Sequence, residues 1–290
     1  MSEQNIVAII CDCDGTLCPD TTELLVSRIG EKPRDFWHDV YEEVGEGWDP
    51  PIAYMTKLLE LARAKSIGIT LDMLKEVGQG IRFFPGALDF IGRLQQRLNN
   101  NAEFRAARIK IELSIISGGI EEIIEFSDIG KVAAEIFGCS FSFDDRGVAD
   151  GIKRVVTFTE KTKFVYAINK GISSDELRKK PYRVNDVIDP EERRVPPECM
   201  IYVGDGPSDI PCFSMIKFLG GSVVGVMPRE NSDLRKPYEL SQGARLTIGP
   251  YTADYSESTD LYKMLGRYVH GIADSMLVRR AQRVKSAPSH

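Results

Sequence analysis

Two aspartates separated by one residue, Asp12 and Asp14, stand at the end of the apolar run Ile6–Cys11 and are followed at once by Gly15. A run of that kind reads as a strand buried on both faces, so it carries carboxylates to the point where an apolar core stops. Such charge is costly to bury unless a cation or a charged ligand compensates it. The simpler alternative is a surface turn, because Asp-Gly is a common turn pair. Two further apolar runs end in polar clusters. Ile109–Ile116 leads into Ser117-Gly118-Gly119, and Cys199–Val203 leads into Gly204-Asp205-Gly206-Pro207-Ser208-Asp209. Simpler readings exist here too: a turn for Asp205-Gly206-Pro207 and a helix N-cap for Asp209.

In a parallel sheet all three strand ends fall on one edge, the edge at which open α/β sheets bind ligands. Carboxylates meeting there repel on the order of several kcal/mol in a partly buried site. A hard divalent cation is the simplest compensation. Mg²⁺ takes one or two carboxylates, a carbonyl and waters, and leaves room for a substrate phosphate. Ser117 adds a hydroxyl, and Gly118 and Gly119 add backbone N–H groups at what reads as a helix N-terminus, an arrangement that favours an anion. Lys161, at the start of a later helix, adds a positive charge. These residues together describe a phosphate-and-magnesium site.

The elements that must position them follow from periodicity. After Leu17 the pattern changes to helices over Thr21–Ile29, Asp35–Val44, Pro51–Lys65 and Thr70–Gly78, the third with Ile52, Met55, Leu58, Leu59 and Ala62 at helical spacing. Residues 19–84 therefore read as a small all-helical module inserted after the first strand. Pro85-Gly86 opens a helix over Ala87–Leu98, and the α/β rhythm resumes. A helix is expected over Lys131–Phe137, edge strands within Ser140–Phe158 and a helix over Thr162–Lys170. A charged, proline-rich surface excursion spans 178–197. Then come a helix from about Asp209 to Phe218, strands at Ser222–Val226 and Arg245–Ile248, and a helix over Thr259–Ser275 with a locally basic, solvated tail, Val278–Lys285.

Taken in order, the four clusters resemble the four motifs of the haloacid dehalogenase superfamily, in the form of its phosphoserine-phosphatase-like branch. Asp12-Cys13-Asp14-Gly15-Thr16 is similar to the first motif, Ser117 to the second, Lys161 to the third, and Gly204-Asp205-Gly206-Pro207-Ser208-Asp209 to the fourth. Lys163 also precedes the helix. Counting from Lys161 places Phe164, Val165 and Ile168 at +3, +4 and +7, the spacing of the branch. The resemblance covers about residues 5–227. It implies a Rossmann-like α/β fold with a parallel sheet, helices on both faces and a helical cap. The core would comprise 1–18 and 85–290, with a C-terminal extension from about 228, and the cap 19–84. It also implies a Mg²⁺-dependent phosphatase working through an aspartyl-phosphate. Asp12 would be the nucleophile and Asp14 the acid/base. Asp12, the Asp14 carbonyl and Asp205 would hold the metal, while Ser117, Gly118 and Lys161 would hold the phosphate. Asp209 would orient Lys161 or a metal-bound water.

Other chemistries of that superfamily fit less well. Carbon–halogen cleavage needs no acid at the position of Asp14, and for phosphonate cleavage Lys57 is a candidate by location only. A phosphotransferase would use the same intermediate, whereas a non-catalytic binding protein needs no second aspartate. The cap should select the substrate, expected to be a small phosphorylated metabolite. It holds both tryptophans, Trp37 and Trp48, with twelve acidic and eight basic residues over 19–84. An acidic, aromatic cap would suit a cationic head group, although the aromatics also serve as the core of a small module. Phosphoserine itself is not supported: Asp20 and Glu23 lie near the expected acidic position but not on it, and Arg63 is the sole arginine of the third helix.

Bulk composition is that of an ordinary soluble globular protein. Over 290 residues, 42% are hydrophobic, 28% charged, and the net charge is −6, which gives no attraction to nucleic acid or an anionic membrane. The apolar runs are strand-length, short of the ~20 residues of a membrane span. The start, Met1 to Asn5, does not resemble a signal peptide. Six scattered cysteines, 11, 13, 18, 139, 199 and 212, read as reduced thiols in a cytoplasmic setting. A soft-metal site at Cys11, Cys13 and Cys18 lacks a histidine or second close cysteine pair to complete it.

Overall fold

In the computed structural model, which describes residues 4–228, 242 and 245–286, the chain builds a seven-stranded sheet in the order β4-β3-β2-β1-β5-β6-β7. Strand β1, Ile6–Cys11, is central and buried at every position. It pairs in parallel with β2 (Lys110–Ile120) on one side and β5 (Met200–Gly204) on the other. A strand enclosed on both faces needs an unbroken apolar sequence, and Ile-Val-Ala-Ile-Ile-Cys provides one. Strands β6 (Ser222–Met227) and β7 (Ile248–Thr252) continue the parallel arrangement. Strand β4 (Ala149–Arg154) departs from it, returning antiparallel on β3 (Glu135–Phe143) at the edge, through the turn the sequence places at Arg146-Gly147.

Four helices stand between β1 and the rest of the sheet: α1 (Thr21–Arg28), α2 (Pro33–Gly45), α3 (Pro50–Ala64) and α4 (Leu71–Gln79). Their starts follow local chemistry. The Asp20 carboxylate caps α1 by accepting from Thr22 N–H, Thr70 Oγ1 accepts from Met73 N–H, and prolines occupy the first turns of α2 and α3. Their inner face, including Leu25, Phe36, Val40, Met55, Leu58 and Leu74, is buried. The link from α3 to α4 is tied to the β3–β4 hairpin by a bridge between Thr70 and Val148 and by Ala149 N–H donating to Ile69.

Helices α5 (Phe90–Asn99) and α6 (Ala102–Ala106) pack with the long C-terminal α11 (Asp260–Ser286) against the sheet. On the opposite face α8 (Glu160–Lys170) packs with α10 (Ile210–Phe218), while α7 (Glu121–Glu125) and α9 (Ser174–Lys179) lie along β3.

Several expectations change. Lys131–Phe137 is not a helix: a 3-10 turn at Ile129–Lys131 gives way to β3, because Ile136, Phe137, Cys139 and Phe141 are buried and the strand completes the ladder with β2. The seventh strand lies at 248–252, not 245–248. The basic tail continues α11 and is not simply solvated, since Arg279 pairs with Glu198 and Arg280 donates to the Ala107 carbonyl. The stretch that follows Pro228, where the C-terminal extension is expected to begin, lies outside the described residues over 229–241, as does Met1–Glu3. No helix among the described residues is long and apolar enough to cross a membrane.

Candidate active site

The carboxyl ends of β1, β2 and β5 meet at one edge of the sheet. Asp12 follows β1 directly. Its N–H still donates to Val203 of β5 at 3.0 Å, and its Oδ1 accepts from Cys13 N–H at 2.8 Å. Side chains alternate along a strand, so a second carboxylate reaches the same edge only if the chain turns. Gly15, at φ +75°, lets it turn, and Asp14 accepts from Thr21 N–H at 2.7 Å. The turn is also tight. A Cβ on Gly15 would lie 2.3 Å from Asp205 Oδ2, so the loop after β1 sits directly against the aspartate after β5.

Lys161 lies in the first turn of α8 and is 1% exposed. Its Nζ is 3.0 Å from Asp12 Oδ2 and 2.8 Å from Asp209 Oδ1, with Ser208 Oγ at 3.5 Å. Burial opposes its charge, but Asp12 and Asp209 outweigh that and hold the ammonium above the usual lysine range. Asp209 is also fully buried and accepts from the Tyr202 hydroxyl at 3.0 Å. Lys163, by contrast, turns outward to pair with Glu160 and lies over the Phe164 ring.

Burial raises both acids of the first loop above the usual carboxylate range. The Asp12 carboxyl is pushed up to about 6, first by burial and then by Asp209, against the pull of Lys161. Asp14 is raised well above the carboxylate range by burial and by Asp20, with the Thr21 N–H opposing. A raised carboxyl beside an ionisable one is the pattern of an acid/base paired with a nucleophile. One carboxylate oxygen each of Asp12, Asp205 and Asp209 lies within 4.8 Å of the others. An all-oxygen set of that kind suits a hard divalent cation.

Strand β2 contributes differently from its sequence reading. Its ladder with β3 is regular to Ile116 and resumes at Ile120 with a register shift, so Ser117-Gly118-Gly119 form a bulge within the strand and not a helix N-terminus. The Ser117 side chain is fully buried, its Oγ accepting from Gly119 N–H at 2.9 Å. Gly118 and Gly119 form the surface there, and the Gly118 carbonyl accepts from the Tyr54 hydroxyl at 2.8 Å.

A cavity of about 1150 Å³ brings most of these groups together. Asp12, Asp14, Asp205, Gly118, Gly119 and Lys161 form its floor; Asp20 and Glu23 from the start of α1, with Trp37, Tyr41 and Tyr54, form the wall on the helical side. Asp209 and Ser117 stand behind the floor. Three contacts have no role assigned from the residues alone: Tyr202, Ser208 and the Thr16 hydroxyl, which lies 3.5 Å from Asp205 Oδ1. A phenol inside the otherwise apolar Met200–Gly204 was the available signal for Tyr202. All six cysteines are buried free thiols, Cys13 and Cys18 with sulfurs 3.7 Å apart.

This sheet order, with helices inserted after the central strand, is a fold that the chain shares with solved hydrolases and phosphatases. The solved structures with which the chain shares it include a phosphoserine phosphatase in a phospho-aspartyl intermediate analogue form, at 16% identity and TM-score 0.52, covering 90% of this chain and 98% of that one. A haloacid dehalogenase family hydrolase from Salmonella enterica serovar Typhi matches at 17% identity and TM-score 0.51 over 77% of this chain, which spans 62% of that hydrolase. A phosphoserine phosphohydrolase-like protein from Francisella tularensis matches at 19% identity and TM-score 0.50, covering 88% and 98% of the two chains. In sequence the chain is similar to an uncharacterized protein of Borreliella burgdorferi, 24% identical over 290 residues, 90% of this chain and 96% of that protein. No protein-family model matches the chain.

Proposed function

We propose that the protein is a Mg²⁺-dependent phosphatase of small phosphomonoesters, acting through an aspartyl-phosphate on Asp12. One observation carries the reading. Lys161 is buried between Asp12 and Asp209 at the floor of a cavity that Asp14 and Asp205 also line. A structural ion pair needs no second aspartate, no third carboxylate and no cavity.

In the first half-reaction an Asp12 carboxylate oxygen attacks phosphorus, and the bond from phosphorus to the ester oxygen breaks. Asp14, whose carboxyl burial raises above the usual carboxylate range, gives a proton to the departing alcohol. In the second, water attacks the same phosphorus, Asp14 takes its proton, and the bond to Asp12 breaks to release inorganic phosphate. Lys161 and the Gly118 backbone steady the transferring oxygens, with Ser117 shaping the bulge that presents them. Asp209 keeps Lys161 aimed at Asp12. Asp12, the Asp14 carbonyl and Asp205 would hold Mg²⁺, which neutralises charge between nucleophile and phosphate when bound.

We assign residues 19–84 as a cap over a core of 1–18 and 85–290. The core handles the phosphate, and the cap wall at Asp20, Glu23, Trp37 and Tyr41 faces the alcohol portion. Turnover of p-nitrophenyl phosphate with and without Mg²⁺, beside Asp12→Asn, tests the reading. Mg²⁺-dependent turnover lost in Asp12→Asn is expected; metal-independent turnover, or full activity in the variant, overturns it. Added alcohol acceptors in the same assay would expose phosphotransfer as a second product.

A further inference from the structure

The stretch after β6 has no counterpart in the four motifs, yet one of its residues reaches the candidate active site from behind. Tyr255 is fully buried. Its hydroxyl donates to the Thr16 carbonyl at 2.9 Å, a contact between residues 239 positions apart. Its N–H donates to the Pro85 carbonyl at 2.7 Å. Its own carbonyl accepts from Arg93 Nη2 at 2.7 Å, and the same nitrogen is 3.3 Å from the Gly86 carbonyl. The backbones touch at this point: Gly86 sits at φ +73°, and a Cβ there would lie 2.6 Å from the Tyr255 carbonyl.

Thr16 and Pro85 belong to the two connections between the sheet and the helices α1–α4. Those connections are joined to each other by Phe84 N–H donating to Leu17 at 2.9 Å. The Thr16 hydroxyl faces Asp205, and Gly15 packs against it. A continuous line of contacts thus runs from Tyr255 through Thr16 to Asp205.

We propose that Tyr255 is a positioning residue: by holding the Thr16 carbonyl it fixes the loop of Asp12 and Asp14 against Asp205, and so sets the affinity of the site for its divalent cation. This rests on the reading that those three aspartates hold the cation. The physical reason is that Thr16 is buried. Without the phenol its carbonyl loses a hydrogen bond that burial makes costly to replace, and the peptide turns toward another donor. The loop then moves relative to Asp205, because the Tyr255 hydroxyl is the side-chain donor that holds that carbonyl.

Tyr255→Phe keeps the ring, its contact with Phe90 and both backbone hydrogen bonds, and removes the hydroxyl alone. Calorimetric titration of the full chain with MgCl₂ is the readout, with p-nitrophenyl phosphate turnover beside it. Expected are a Mg²⁺ dissociation constant raised about tenfold, an unchanged KM for the ester, and a turnover deficit that shrinks at saturating Mg²⁺. Arg93→Met, which frees the Tyr255 carbonyl and spares the hydroxyl, should shift Mg²⁺ affinity the same way by less, and it stands in if Tyr255→Phe does not fold. Wild-type Mg²⁺ affinity in both variants, even with lowered thermal stability, makes Tyr255 a brace only and overturns the proposal. A wild-type chain that binds no Mg²⁺ overturns the functional reading itself, a result distinct from an unchanged variant.

Discussion

Replacing Lys161 by methionine separates a catalytic lysine from a structural one. The methionine side chain is close in length and apolar, so the volume is kept and the charge is removed. What remains is a pair of nearly inaccessible carboxylates, Asp12 and Asp209, that had shared one cation at 3.0 and 2.8 Å. Removing one partner of a buried ion pair costs about 3–5 kcal/mol. Against a total of roughly 5–15 kcal/mol, that is a large fraction, read as a fall in Tm on the order of 10 °C. The rate should fall for two reasons. The contact to the transferring phosphate is lost, worth ~10²–10³ in kcat. Asp12 also becomes harder to ionise, since its carboxyl is at about 6 even with the lysine present. The double variant Lys161→Met/Asp209→Asn distinguishes the two consequences. It removes one of the two orphaned charges while the amide oxygen can still accept from Tyr202, so part of the stability should return and turnover should not. Lys163→Met, on the outward side of the same helix, should leave Tm within about 1 °C, the effect of a surface change of ~0.5 kcal/mol or less. More than about a tenth of wild-type kcat in Lys161→Met, or recovery of activity together with stability in the double variant, would refute the assigned role; the threshold is about an order of magnitude above the expected residual activity.

Three further outcomes follow from the same geometry. Gly15→Ala combines a positive φ with a Cβ 2.3 Å from Asp205 Oδ2, so it should destabilise by about 1–3 kcal/mol and weaken Mg²⁺ binding; a fully stable variant with unchanged calorimetry would contradict the contact. Asp20 is pushed up to about 6 by burial and then by Glu23. Its folded value therefore exceeds its unfolded one near 3.9, the folded state binds the extra proton, and stability falls as pH rises between about 4 and 6. In EDTA-treated protein Asp20→Asn, which keeps the helix cap, should remove that part of the pH dependence; parallel Tm–pH curves for the two proteins would be the contrary result. Finally, the charged groups lining the cavity are Asp12, Asp14, Asp20, Glu23 and Asp205 against Arg82 and Lys161. With Mg²⁺ offsetting the phosphate, phosphoethanolamine should show a KM roughly fivefold below that of phosphoglycolate, the equivalent of ~1 kcal/mol from the acidic, aromatic wall; equal values would remove the cap wall from substrate choice.

What could be read from the residues alone was local. Ile6–Cys11 announces a buried strand because no partner changes the meaning of an unbroken apolar run rich in β-branched residues, and Asp12, Asp14 and Gly15 follow it within four positions. Lys161 could be preferred over Lys163 because the apolar face of α8 is periodic, and the structure turns the two lysines to opposite sides of it. The errors lie where a distant partner decides. Ala133 to Phe137 has helix-compatible composition, but Glu135–Phe137 lies beside Ser114–Ile116 and pairs with it as a strand. Ser117-Gly118-Gly119 looks like a strand end followed by a helix, whereas the ladder resumes at Ile120 and leaves the three residues as a bulge, a register event that neither strand shows by itself. Tyr255 was beyond reach for the same reason in its strongest form. Nothing near it in sequence distinguishes a phenol aimed at Thr16 from one packed for bulk, and the carbonyl it satisfies is 239 residues away. The division has a physical basis: which atoms react is written in short runs around the strand ends, while what holds those atoms at working distance is contributed by elements that meet only in the folded chain.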